Sequence, residues 1–259
     1  MTIGRVEKYL HEKRAQDGAL FFAIIDPLDY SDLDSAVKAA REAYEAGSDM
    51  IVVGGSTGVQ GQTLDVTVSE IKKSIDVPLT LFPGNIATVT KMADAIYFMS
   101  MLNSRNPYWI TGAQTLAAPV IKALGVEPLP VGYTVVGEGG TVAWIGDTNT
   151  IPLKKPHLAA AIALAARYMG FRFFFTDAGS APPEPVPPEM VAAVRKAIGD
   201  EMFYIDAGGI RSEAHVRAVI KAGADAVQVG TAIESARDVK EKVQKLVRAV
   251  KEEGKSRLE

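Results

Sequence analysis

The chain has 259 residues, no cysteine, and 28 Lys and Arg against 31 Asp and Glu, a formal net charge of −3. Zero cysteine excludes a disulfide scaffold, a thiolate-held zinc or iron–sulfur centre and a cysteine nucleophile, and it suits a reducing compartment. The near-neutral charge argues against broad nucleic-acid binding, which needs a basic face, and the length admits two small domains or one α/β barrel of roughly 250 residues.

The first 18 residues are charged throughout and lack the apolar core of a secretory signal, so residues 1–18 read as a helical extension. Eight short apolar runs follow: Leu20–Asp26, Asp49–Gly54, Pro78–Phe82, Ala95–Ser100, Leu129–Val136, Phe171–Asp177, Met202–Asp206 and Ala226–Gly230. They are continuous, not alternating, which marks parallel strands buried on both faces. Helical patterns lie between most of them. Asp34–Ala46 sets Val37, Ala40 and Tyr44 against Lys38, Arg41 and Glu45, and Gly47 follows as a C-cap. Asn103–Leu124 is less regular, and a loop is expected there in place of one helix. His157–Met169 is Ala-rich, too short to span a bilayer, and interrupted by Arg167. Pro187–Ile198 opens on proline; Ser212–Ala222 opens on a serine cap with Glu213 in its first turn. Residues 238–259 form a solvated terminal helix. A soluble, cytoplasmic protein with no transmembrane segment and no nucleic-acid partner is expected.

This βα repetition predicts a (β/α)8 TIM-type barrel, one domain over residues 1–259. An open doubly wound sheet is the alternative, but no Gly-x-Gly-x-x-Gly follows the first strand. In a barrel the chemistry collects at the C-terminal strand ends. Three successive ends carry glycines: Gly179-Ser180, Gly208-Gly209 and Gly230-Thr231. Glycine lets backbone amides approach an anion, so these ends are expected to bind a phosphate. Asp26 closes an apolar strand and needs a partner, a hydrogen bond or a metal. Mg²⁺ suits such a carboxylate, with the Ser56 and Thr57 hydroxyls one strand over; a structural cap is the other reading. Asp177 sits beside the glycine ends and could handle a hydroxyl proton, whereas Asp206 reads as a structural acceptor. His11, His157 and His215 lie in polar helical stretches and receive no role. Tyr97, Phe98, Met99, Met101, Tyr108, Trp109 and Tyr133 are either core or a trench for a long hydrocarbon.

Asp26-Pro27, Val53-Gly54-Gly55-Ser56-Thr57-Gly58, Phe82-Pro83-Gly84-Asn85 and Asn106-Pro107-Tyr108-Trp109-Ile110-Thr111-Gly112-Ala113-Gln114 resemble the geranylgeranylglyceryl phosphate synthase family, relatives of bacterial heptaprenylglyceryl phosphate synthases. So do Asp177-Ala178-Gly179-Ser180, Gly208-Gly209-Ile210-Arg211-Ser212 and Gly230-Thr231, over nearly the whole chain. The resemblance implies a Mg²⁺-dependent prenyltransferase joining sn-glycerol 1-phosphate to geranylgeranyl diphosphate, the first ether bond of archaeal lipids. It implies that Asp26 and Ser56 hold the metal, and that Asp177 is catalytic. Phe175, Asp177, Gly179, Ser180, Gly208, Gly209, Gly230 and Thr231 would bind the glycerol phosphate; Tyr108, Trp109 and Tyr133 would contact the prenyl tail. A homodimer or larger homo-oligomer is implied, with Trp144 at an interface. The sequence departs from the family's pattern where tyrosine and glutamate become Phe175 and Asp177, where a glycine becomes Ala207, and where Ala181 and Leu28 replace a glycine and an aspartate. Two other readings stand beside this one: another phosphate-binding barrel enzyme acting on a sugar phosphate, and a non-catalytic phosphate-binding barrel.

Overall fold

Parallel strands that bury both faces need side chains inside the sheet and helices outside it. The computed structural model, which describes residues 3–55 and 59–258, meets both needs with eight parallel strands closed in chain order. The elements are α1 (Arg5–Asp17), β1 (Leu20–Ile25), α2 (Leu33–Glu45), β2 (Met50–Val53), α3 (Gly61–Lys72), β3 (Leu79–Leu81), β4 (Ala95–Met101), α4 (Ala113–Leu124), β5 (Glu127–Val135), α5 (Gly140–Ile145), α6 (Pro156–Tyr168), β6 (Phe173–Asp177), α7 (Pro188–Ile198), β7 (Phe203–Ala207), α8 (Glu213–Ala222), β8 (Ala226–Val229), α9 (Thr231–Glu234) and α10 (Val239–Ser256). A 3-10 turn at Pro27–Asp29 follows β1, and a π-turn at Tyr108–Gly112 leads into α4. The barrel closes where Leu20 pairs with Ala226 and Ala23 with Val229.

Successive strand residues point to opposite faces. Leu20, Phe22, Leu129, Val131, Tyr133, Phe173, Phe175, Phe203 and Ile205 point inward and fill the barrel. Their neighbours Phe21, Ala23, Ile25, Phe174, Tyr204 and Val227 pack outward against helices. Ala36, Ala39, Ala40 and Ala43 line the buried face of α2, where small side chains let the helix close on the sheet.

The N-terminal extension plugs the bottom of the barrel: Val6 and Leu10 of α1 join the inner cluster. The Glu127 carboxylate accepts the amides of Val6 (2.8 Å) and Glu7 (2.9 Å), satisfying donors that the first turn of a helix leaves free.

The irregular stretch expected at Asn103–Leu124 is a correction. It holds the π-turn and α4, and the missing helix is instead the one between β3 and β4, over residues 82–94. Pro107 stands just ahead of the π-turn, and Pro119 lies on the exposed face of α4 one turn after exposed Thr115, whose carbonyl it leaves without a helical donor.

Candidate active site at the C-terminal mouth of the barrel

Alternation decides which side chains reach the mouth. Inward positions run Phe22, Ile24, Asp26 from β1; Phe173, Phe175, Asp177 along β6; and Ala226, Gln228, Gly230 from β8. The cavity there is lined by Asp26, Gly55, Trp109, Tyr133, Asp177, Gly179, Ser180, Gly208, Gly209, Arg211, Gln228, Gly230, Thr231 and Glu234, among others.

Asp177 is 7% exposed and held at both oxygens. Oδ1 accepts the Gly179 amide at 2.6 Å, and Oδ2 accepts the Tyr133 hydroxyl at 2.7 Å. Burial pushes its carboxyl up, against two hydrogen bonds that favour the ionised form. Because the Gly179 N–H is spent on Asp177, it is not a free donor for an anion.

The rim around Asp177 is backbone laid on backbone. A Cβ on Gly179 (φ +84°) would stand 2.2 Å from the Gly139 carbonyl oxygen. One on Gly208 (φ +85°) would stand 2.6 Å from the Ala178 nitrogen and 2.8 Å from Asp177 Oδ1. Only glycine permits this approach. Gly230 and Thr231 complete the rim where α9 begins; the Ile233 and Glu234 amides of that turn already donate to the Gly230 carbonyl. The exposed Arg211 adds positive charge at the edge, its Nη2 donating to the Pro182 carbonyl at 3.0 Å.

Asp26 faces the cavity from the β1 side. Its Oδ1 accepts the Leu28 amide at 3.2 Å. Its carboxylate lies over Gly55, where a Cβ would come within 2.6 Å of both oxygens. Burial and nearby Asp29 push this carboxyl up to about 6, with the Leu28 bond opposing them. Ser56 and Thr57, expected beside Asp26, lie outside the described residues.

Two residues expected to contact substrate stand outside the cavity lining. Phe175 is fully buried one layer below Asp177, packed against Phe82, Tyr97 and Tyr133, and does not line the cavity. Without a hydroxyl its ring belongs to the apolar floor. Tyr108 stands edge-on to Trp109, 5.0 Å between ring centroids, and lines neither the mouth nor the groove beside it. Trp109 lines both.

That groove runs outside the barrel between β4 and α4. Ile86, Val89, Ile96, Phe98, Ala117 and Ile121 line it, and it shares Pro83, Met99, Met101 and Trp109 with the mouth. It occupies the place left by the missing helix. Gln114 fixes its wall: the side-chain amide donates to the carbonyls of Met99 and Trp109 and ties the π-turn to β4.

Gln228 and Glu234 line the mouth but were not singled out from sequence. Gln228 accepts the Tyr97 hydroxyl at 3.0 Å; a polar residue two before a strand-end glycine was its signal. Burial, then Asp29 and Asp26, push Glu234 up to about 7. Asp206 is fully buried outside the barrel wall, where its Oδ1 accepts from Thr176 Oγ1 at 2.9 Å, a structural position.

The profile of the PcrB family matches residues 11–252. A geranylgeranylglyceryl phosphate synthase of Pyrococcus furiosus is 50% identical over 246 residues, covering 95% of this chain and 96% of that protein. The synthase of Thermococcus kodakarensis is 48% identical over 97% of this chain and 99% of its own. The crystal structure of (S)-3-O-geranylgeranylglyceryl phosphate synthase from Thermoplasma acidophilum, in complex with its substrate sn-glycerol-1-phosphate, superposes with a TM-score of 0.90 at 34% identity, covering 97% of this chain and 100% of that one.

Proposed function

This chain belongs to the PcrB family and is a prenyltransferase, and from that premise we propose that it joins sn-glycerol 1-phosphate to geranylgeranyl diphosphate with the help of Mg²⁺. The observation that carries the reading is the shared wall. A polar mouth holding Asp177 and the glycine rim opens at Trp109, Met99 and Met101 onto an apolar groove. A phosphate on the rim and a hydrocarbon in the groove would meet at that wall.

In this reading the rim loops after β6, β7 and β8 hold the acceptor phosphate. Asp177, pinned by Tyr133 and Gly179, receives the proton of the glycerol C3 hydroxyl as that oxygen bonds to C1 of the prenyl chain and the C1–O bond to diphosphate breaks. Asp26 fits a hard cation: one carboxylate, partly free of hydrogen bonds, in a cradle that a Cβ on Gly55 would fill. Among the described residues no group of three His, Cys, Asp or Glu side chains forms a protein cage. Mg²⁺ held by one or two carboxylates and completed by substrate phosphates is the ordinary arrangement. Bound by Asp26 and Ser56, it would neutralise charge on the leaving diphosphate.

The test is incubation with Mg²⁺, glycerol 1-phosphate and radiolabelled geranylgeranyl diphosphate. A butanol-extractable labelled product is expected; its absence rejects the reading. Trp144 is 85% exposed, and Leu116 (58%) and Val120 (50%) form an exposed stripe on α4. We propose that such faces are covered in a homodimer or larger assembly, to be checked by light scattering of the native protein and of Trp144→Ala. No helix of the described residues is long and apolar enough to cross a membrane, and the proposed place of action is the cytoplasm.

A further inference from the structure

We propose that Tyr133 is the positioning residue of the acid Asp177, and not a contact for the prenyl tail; the proposal rests on the acceptor role of Asp177 given above. In the parallel register Tyr133 lies opposite Phe175 and Val135 opposite Asp177. Tyr133 therefore starts one layer below Asp177 on the neighbouring strand, and its ring reaches up to bring the hydroxyl within 2.7 Å of Oδ2. That separation is typical of a hydroxyl donating to an ionised carboxylate.

The floor beneath the mouth contains two hydroxyl-bearing rings, Tyr97 and Tyr133, with Phe82 and Phe175 between them. Tyr97 gives its hydroxyl to Gln228. Tyr133 gives its own to Asp177, and burial and that neighbour push the Tyr133 hydroxyl far above its ordinary range, so it remains a donor. With Gly179 on Oδ1 and Tyr133 on Oδ2, the carboxylate plane is fixed at two atoms. Each oxygen keeps lone-pair capacity for a substrate hydroxyl. A longer acid would carry its oxygens about 1.5 Å farther along the side chain.

The charged groups around Asp177 leave Tyr133 a specific effect. Asp206 of β7 lies behind the wall, Arg211 lies at the rim, and Asp26 and Glu234 line the mouth. Burial raises the acid, whereas the Tyr133 bond favours its ionised form. Removing the hydroxyl must raise the pH at which Asp177 ionises.

The experiment is Tyr133→Phe, assayed with Mg²⁺, glycerol 1-phosphate and geranylgeranyl diphosphate across pH. The expected result is a loss in kcat of roughly tenfold, a rise of about one pH unit in the acid limb, and an unchanged KM for the prenyl diphosphate. A raised prenyl KM with an unmoved acid limb overturns the proposal. Titration of the Asp177 carboxyl by carbon-13 NMR, assigned with Asp177→Asn, separates this inference from the activity itself. If no product forms in either protein, the functional reading fails, yet a higher midpoint in Tyr133→Phe still supports the pairing and an unmoved midpoint overturns it. Should Tyr133→Phe not fold, Asp177→Asn removes the acceptor instead. The proposal then requires the slowly exchanging, downfield Tyr133 hydroxyl proton of the parent protein to shift or vanish, and an unaltered resonance overturns it.

Discussion

The two ends of the barrel treat their acids differently. At the closed end Glu7 meets Arg172 at 2.6 Å, Asp17 and Asp49 share Lys251, Asp94 meets Lys72, and Asp225 meets Arg195, Arg14 and Arg257. Burial would raise the Glu7 carboxyl, but His11 and Arg172 hold it below the usual range. At the mouth Asp26, Asp177 and Glu234 line one cavity, all three are pushed up by burial, and among the described residues no lysine or arginine offsets the shift. The fold pairs its acids with bases at the closed end, and at the mouth it leaves the carboxylates without a directly paired cation, Arg211 standing only at the rim.

The comparison breaks first if the mouth acids prove dispensable. Asp26→Asn should lower kcat roughly 10³-fold, with the melting temperature held or raised, because a half-buried charge is removed. A variant that stays active would return Asp26 to the role of a turn cap. At the other end Glu7→Gln should cost about 1–3 kcal/mol of stability, since it removes the charge of the buried carboxylate that Arg172 meets at 2.6 Å. Denaturant unfolding measures that loss, and turnover well below the melting temperature should be retained; a matching collapse of kcat would join the two ends functionally. Trp109→Ala opens the wall between mouth and groove. The KM for prenyl diphosphate should rise roughly tenfold, with the KM for glycerol 1-phosphate little changed, and the reverse pattern would place the tail elsewhere.

The smallest effect belongs to Glu234. Its folded carboxyl is pushed up to about 7 from the ordinary 4.5. The folded chain therefore holds this proton more tightly than the unfolded chain does. The group's contribution is intact below pH 4.5 and is lost as pH rises toward 7. Glu234→Gln should flatten the fall in melting temperature between pH 5 and pH 8, measured without metal, and an unchanged slope would show that neither burial nor the other mouth acids raise this carboxyl.

Sequence made the barrel and much of its mouth legible because the signals were local. Continuous apolar runs ended in Asp26, Asp177 or a glycine, and a carboxylate or a bare backbone at the end of a buried strand has few uses. What escaped depends on three dimensions. Phe175 was assigned to substrate by its place in a motif, yet two residues along a strand is one layer down, and a ring without a hydroxyl joins the floor. Tyr133 was grouped with apolar neighbours because its partner lies 44 residues away on the next strand. Glu234 follows a strand-end glycine, but only the closure of β8 on β1 brings it toward Asp26. The missing helix was misplaced because the irregular stretch opens on a π-turn, and the regular helix α4 follows only after it.

The backbone stacking of the rim bears on how this scaffold can evolve. Side chains at 179 or 208 would collide with main-chain atoms of the neighbouring loop, and main chain cannot move aside as a flexible side chain can. Those positions have no small steps available to them: a substitution there destroys and does not tune. Innovation is displaced to surfaces made of side chains, namely the groove wall at Phe98, Ala117 and Ile121 and the second layer behind Asp177. A library seeking new substrates for this barrel should leave the glycines alone and randomise what stands behind them.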